Sequence, residues 1–225
     1  MNQTLGLAFD FFDLIIIRVQ MRFIILISTL ICGFLPSFMA AADTWADCTN
    51  SSAELAIQAC SQIISEKRVD RINLSIAHSN RGNAYLRLAQ NQQALQDFNR
   101  AIEIDPTNAR AFQNRGNFYF MSEKYDEAIS NYDQAIRSDP SYDRAHVNRG
   151  LAFLQQEKYA EAIRNFDAAL KLNPDSAPAY NNRGAAYQQS GEKNRAIEDY
   201  KKALAIDPRF QTARENLQKL GVPLN

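Results

Sequence analysis

The sequence has no excess of charge of either sign. Its 25 lysines and arginines cancel its 25 aspartates and glutamates, so nothing points to nucleic acid or an anionic membrane as partner. Metal-ligating residues are scarce, with two histidines and three cysteines in 225 residues. His78 and His146 lie at no useful spacing from one another or from a cysteine, so neither a metal site nor a cofactor is expected. No nucleophile has a nearby base and no phosphate-cradling glycine loop occurs, so the chain does not read as an enzyme. Beyond residue 42 long apolar runs are absent too, which excludes a membrane-spanning helix there. What remains is 46% hydrophobic and 22% charged, ordinary for a soluble fold.

Residues 1–42 differ in kind. The apolar run 23–38 (FIILISTLICGFLPSF) is flanked by only Asp10, Asp13, Arg18 and Arg22. Read from Met21, a basic start, an apolar stretch, Pro36 and the small residues Ala40, Ala41 and Ala42 follow the grammar of a secretory signal peptide cleaved near Ala42. Gly33 and Pro36 interrupt the run, which falls short of the roughly 20 residues that span a bilayer. Residues 1–20 place Asp10 and Asp13 among apolar residues, and translation beginning at Met21 rather than Met1 explains them. Cys32 follows Leu30 and Ile31, an unsuitable context for lipid attachment, and goes with the leader. The chain is therefore expected to be exported, to the periplasm. Cys48 and Cys60 remain as an even pair. Either an oxidising compartment joins them as a disulfide or they are two unrelated buried thiols.

Asn80-Arg81-Gly82 recurs as Asn114-Arg115-Gly116, Asn148-Arg149-Gly150 and Asn182-Arg183-Gly184, always 34 residues on. In phase with it come the aromatics Tyr85, Tyr119, Phe153 and Tyr187, then Ala94, Ala128, Ala162 and Ala196. Phe98, Tyr132, Phe166 and Tyr200 follow four residues later, and Pro106, Pro140, Pro174 and Pro208 close each unit. Spacings of three and four put alanine and aromatic on one helical stripe, and proline stops the helix. A glycine facing alanine on the next helix lets two backbones approach, with aromatics filling the space beside them. One such hairpin cannot bury its own apolar face, so neighbours must stack into a solenoid.

A 34-residue period with this pattern resembles the tetratricopeptide-repeat (TPR) family, here of an exported bacterial type with an N-terminal cysteine pair. The resemblance implies an all-α solenoid of four full repeats, 75–108, 109–142, 143–176 and 177–208. Residues 209–225 read as a capping helix and tail, and 43–74 as an N-terminal segment in which 53–64 mimics a second helix. That half repeat lacks a full partner helix, and a Cys48–Cys60 bridge would stand in for it. The family's usual leucine is replaced by Arg81, Arg115, Arg149 and Arg183. These face either a ligand or the acceptors Asp97, Asn131, Asn165 and Asp199 on the second helix of each unit.

By resemblance, the first helix of each unit lines a concave groove where Asn80, Asn114, Asn148 and Asn182 form an asparagine ladder. A similar ladder grips extended polypeptide in the O-linked N-acetylglucosamine transferases, since a carboxamide pairs with both peptide N–H and C=O. The alternative is that asparagine solves a local packing problem. Asn83, Asn117, Arg110 and Arg144 join the groove, the arginines favouring acidic character in a peptide. Asn83, Asn114 and Arg144 match positions of the carboxylate clamp of chaperone-tail-binding TPR proteins, whereas Ser79 and Asn148 replace its other basic residues. The expected function is a protein-interaction scaffold holding an extended peptide segment of a partner. The alternative is a structural spacer of the cell envelope that assembles through its repeat ends or convex face.

Overall fold

The computed structural model describes residues 44–66 and 68–223, so the expected leader lies outside the described residues. Helix follows helix: α1 (44–50), α2 (Ala53–Ser65), α3 (Arg71–Arg87), α4 (Asn91–Ile104), α5 (Ala109–Met121), α6 (Tyr125–Ser138), α7 (Asp143–Gln155), α8 (Tyr159–Leu172), α9 (Ala177–Gln189), α10 (Lys193–Ile206) and α11 (Gln211–Lys219). Antiparallel hairpins α3–α4, α5–α6, α7–α8 and α9–α10 make the four full repeats, each packed on the next. Among the described residues, no helix is long and apolar enough to cross a membrane.

The hairpin turn is built identically in each unit. The amide of Gln90 bonds the Tyr85 carbonyl, and those of Lys124, Lys158 and Glu192 bond Tyr119, Phe153 and Tyr187 in the same way. This closing bond needs one residue in the left-handed region. The residue is Ala89, Glu123 or Glu157 in three units, with φ of 55°, 59° and 59°, and Gly191 in the fourth. In three units the return turn is tied by the aspartate before the proline: Asp105 Oδ1 accepts from the Thr107 amide and hydroxyl, Asp139 Oδ1 does so from Ser141, and Asp207 Oδ1 accepts from the Arg209 amide, while Asn173 stands at this position in the third unit.

The core runs along the seam between first and second helices. Ala94, Ala128, Ala162 and Ala196 are fully buried, as are Phe98, Tyr132, Phe166 and Tyr200. The glycine faces the aromatic ring and, at Gly82 and Gly184, the backbone carbonyl of Ala94 and Ala196 as well, 3.2 Å from where a Cβ would stand. A Cβ on Gly82, Gly116, Gly150 or Gly184 would stand 2.6 to 2.8 Å from a ring carbon of Phe98, Tyr132, Phe166 or Tyr200.

The repeat arginines are structural straps. Nε of Arg81, Arg115, Arg149 and Arg183 donates to Asp97, Asn131, Asn165 and Asp199, all at 2.6 to 2.8 Å. A second nitrogen reaches back to the preceding unit, where Nη1 donates to Ser61, Asn99, Asp133 and Asp167 respectively. Each guanidinium therefore bonds the second helix of its own unit and that of the unit before. Asp97 and Asp199 accept a second bond from Nη2 of the same arginine, whereas Asn131 and Asn165 turn their N–H groups onto their own helix at Glu127 and Glu161. For Asp97, burial raises the carboxyl pKa, but the bonds from Arg81 and His78 outweigh it and hold the group below its usual range.

Both ends of the stack are closed. At the C-terminus α11 buries Leu217 against Ala196 and Tyr200. At the N-terminus Cys48 of α1 is bridged to Cys60 of α2, both buried, with Trp45, Ile63 and Ala77 around them. The partner helix that the half repeat needs is thus the seven-residue α1, fastened covalently. Helix α3 extends four residues upstream of the first repeat. Asp70 accepts from the Asn73 amide as N-cap, which adds the turn 71–74 to α3, and Arg71 Nε and Nη2 hold the Ile104 carbonyl.

Candidate functional site

The first helices α3, α5, α7 and α9 contact one another in series and form the inner layer. Their side chains hold the asparagine ladder, but its rungs are not free. Asn114 is 6% exposed and donates to Ser79 Oγ of the preceding unit at 3.0 Å. Asn148 donates to Asn117 Oδ1 at 3.0 Å, Asn80 to Cys48 Sγ at 3.9 Å, and Asn182 Oδ1 accepts from its neighbour Asn181 at 3.4 Å. Three rungs therefore each commit an N–H to the segment or unit before them, as the packing reading expects, and the carbonyl oxygens of these three take no part in those bonds.

Ser79 is almost fully buried and already bonded, and Asn181 is buried beneath α11, whose Asn216 donates to it at 3.1 Å. The carboxylate clamp is consequently not assembled: of its matching residues Asn114 is sealed between units, and only Arg144 is exposed. Arg110 is exposed at the start of α5 beside Tyr142, and Asn83 is half-buried on α3.

The structure brings Asn117, Asn148 and Arg144 together around two adjoining cavities at the middle of the stack. The first, about 290 Å³, is walled by Phe120, Met121 and Leu151, with Asn117, Asn148 and Tyr132 at its polar side. Met121 is 71% exposed there. Tyr132 donates its hydroxyl to Asn117 Oδ1 at 2.9 Å, and burial pushes its phenol pKa far up, so it is a constant donor. Asn117 Oδ1 thus accepts from both Tyr132 and Asn148, which leaves its N–H groups available, while Asn148 offers its carbonyl. One donor and one acceptor side by side match one peptide unit.

The second cavity, about 420 Å³, opens between α5, α7 and the α8–α9 turn. It shares Asn148 with the first and adds Gln113, Asp143, Arg144, Asn173 and Asp175. Gln113 immediately precedes the ladder residue Asn114 on α5. Met121, Asp143 and Asp175 were not legible as site residues, because an apolar helix end and turn carboxylates read as ordinary surface. Among the described residues no group of three or more His, Cys, Asp or Glu stands close enough to hold a metal.

Family models described as TPR repeat match residues 116–157 and 150–191, and models described as tetratricopeptide repeat match 75–108, 98–130 and 177–210. No curated protein matches significantly. Among solved structures, the crystal structure of MamA superposes with a TM-score of 0.59 at 22% identity, over 74% of this chain and 91% of that one. The first TPR of Spaghetti (RPAP3), bound to HSP90 peptide SRMEEVD, is 32% identical with a TM-score of 0.50, over 52% of this chain and 93% of that one. The first TPR domain of the human RPAP3 protein is similar at 33% identity and a TM-score of 0.50, over 52% of this chain and 91% of its own.

Proposed function

The chain belongs to the tetratricopeptide-repeat family, and from that premise we propose that it is a non-catalytic scaffold which holds an extended peptide segment of a partner protein against α5 and α7. The observation that carries this reading is the Asn117–Asn148 pair, hydrogen-bonded so that one donor and one acceptor face adjoining cavities. An apolar cavity of about 290 Å³ is at the lower limit of ligand sites, roughly 300 Å³ upward, which suits one side chain rather than a whole small molecule. The peptide-bound neighbour, 32% identical over half of this chain, lends support to a peptide as ligand. The same reading puts the chain outside the cytoplasm, in the periplasm, supported by the signal-peptide grammar of residues 21–42 and the Cys48–Cys60 bridge.

The test is affinity capture from an envelope fraction with the full chain and with Leu151→Glu, which places a charge in the apolar cavity. Proteins lost with the folded variant are groove partners. Identical capture by both baits would sink the groove reading and favour a spacer that assembles through the repeat ends or convex face.

A further inference from the structure

The larger cavity is rich in acceptors. Asp143 and Asp175 stand on its wall against one guanidinium, that of Arg144. Asp143 already receives the Arg144 amide at 2.7 Å and Asn173 Nδ2 at 3.0 Å. Asp175 is exposed and bonded to nothing among the described residues. Gln113 lines the same cavity at 8% exposure, with its Oε1 sealed beneath the wall rather than facing the opening. Asn148, whose N–H is committed to Asn117, adds a carbonyl at the boundary with the apolar cavity.

We propose that this cavity takes the basic side chain, lysine or arginine, of the bound peptide, with an apolar residue of the same peptide seated two positions away against Phe120 and Leu151. The proposal rests on the peptide-groove reading and specifies its ligand. The chemistry is complementary, because ammonium and guanidinium groups carry donors only and a positive charge, while the wall offers two carboxylates and the Asn148 carbonyl. Residues two apart in an extended chain point the same way, which fits two cavities on one face that share Asn148. Selectivity then runs opposite to the acidic preference that Arg110 and Arg144 imply when the arginines are considered alone.

The experiment is fluorescence anisotropy of the full chain with fluorescein-labelled Gly-Ser-Leu-Ser-Xaa-Ser-Gly, where Xaa is Lys, Arg, Gln or Glu. The Lys and Arg peptides should bind about fivefold more tightly than the Gln peptide, the scale of one partly exposed ion pair, and the Glu peptide most weakly. Asp175→Asn should bring the Lys-to-Gln ratio close to one and leave the Gln peptide unchanged. Glu binding as well as Lys, or a ratio untouched by Asp175→Asn, overturns this assignment and leaves the groove standing. If no peptide binds at all, including the Leu-containing Gln peptide, the groove reading fails and takes the proposal with it.

Discussion

A Cβ atom on Gly116 would stand 2.6 Å from Cε1 of Tyr132. The ring is buried and its hydroxyl is bonded to Asn117, so it has nowhere to retreat. Gly116→Ala should therefore lower stability by roughly 2 kcal/mol despite alanine's better helix propensity, as overpacking does in a close-packed core. Urea unfolding at unchanged m-value measures it, and a loss below half that size would mean that the two helices can part.

Ala89, Glu123 and Glu157 occupy the turn position that Gly191 occupies in the last unit, all at positive φ. A side chain there costs on the order of 1 kcal/mol. Each of Ala89→Gly, Glu123→Gly and Glu157→Gly should raise stability by about that amount, and Gly191→Ala should lower it, as read by Tm.

His78 and His146 are equivalent by phase and opposite in circumstance. His78 Nδ1 bonds Asp97 at 2.8 Å, whereas His146 Nδ1 is buried without a partner. His146→Phe should stabilise by about 1 kcal/mol and His78→Phe should destabilise. Burial, with Arg149 adding to it, holds the His146 pKa below its ordinary 6.5, so the fold favours its neutral form. Its contribution is complete above about 6.5 and is lost as pH falls through the depressed value. Asp97, also depressed, adds a second loss below its ordinary 3.8. Thermal unfolding from pH 8 to 3 should show both steps, and His146→Phe should erase only the upper one.

The cysteine pair closes a loop with a sequence separation of 12 around the N-terminal cap. Reduction, or Cys60→Ser, should cost roughly 3 kcal/mol by loop entropy. Hydrogen exchange should show the loss concentrated in α1 and α2; a uniform change along the solenoid would mean that the bridge is not what holds this cap.

Arg115 differs from the other straps in meeting carboxamides alone, Asn131 and Asn99. Asn99→Asp gives it the carboxylate that Asp133 and Asp167 give Arg149 and Arg183. Stability should rise by about 0.5 kcal/mol, an effect that weakens in high salt.

Much of the fold was legible because glycine, aromatic and proline do the same physical work every 34 residues. The forward acceptor of each strap was also readable, since Asp97 and its equivalents sit on the facing helix of the same hairpin. The backward acceptors Asn99, Asp133 and Asp167 were not, because their role exists only once one unit stacks on another. The same limit governed the site. Asparagine positions followed from phase, but the sealing of Asn114 against Ser79 depends on how closely α3 and α5 approach. Asp175 gained meaning only when the α8–α9 turn came to lie beside Gln113.

The straps also differ in strength along the stack. Arg81 and Arg183 fork onto aspartates with two nitrogens, whereas Arg115 and Arg149 hold an asparagine oxygen through Nε alone. The forks clamp the two helices of a single hairpin, whereas the bonds from one unit to the next are neutral at Arg81 and Arg115 and ionic at Arg149 and Arg183. As a mechanical object the solenoid is therefore a row of hairpins whose first and last are clamped internally, with ionic couplings between units only in its C-terminal half.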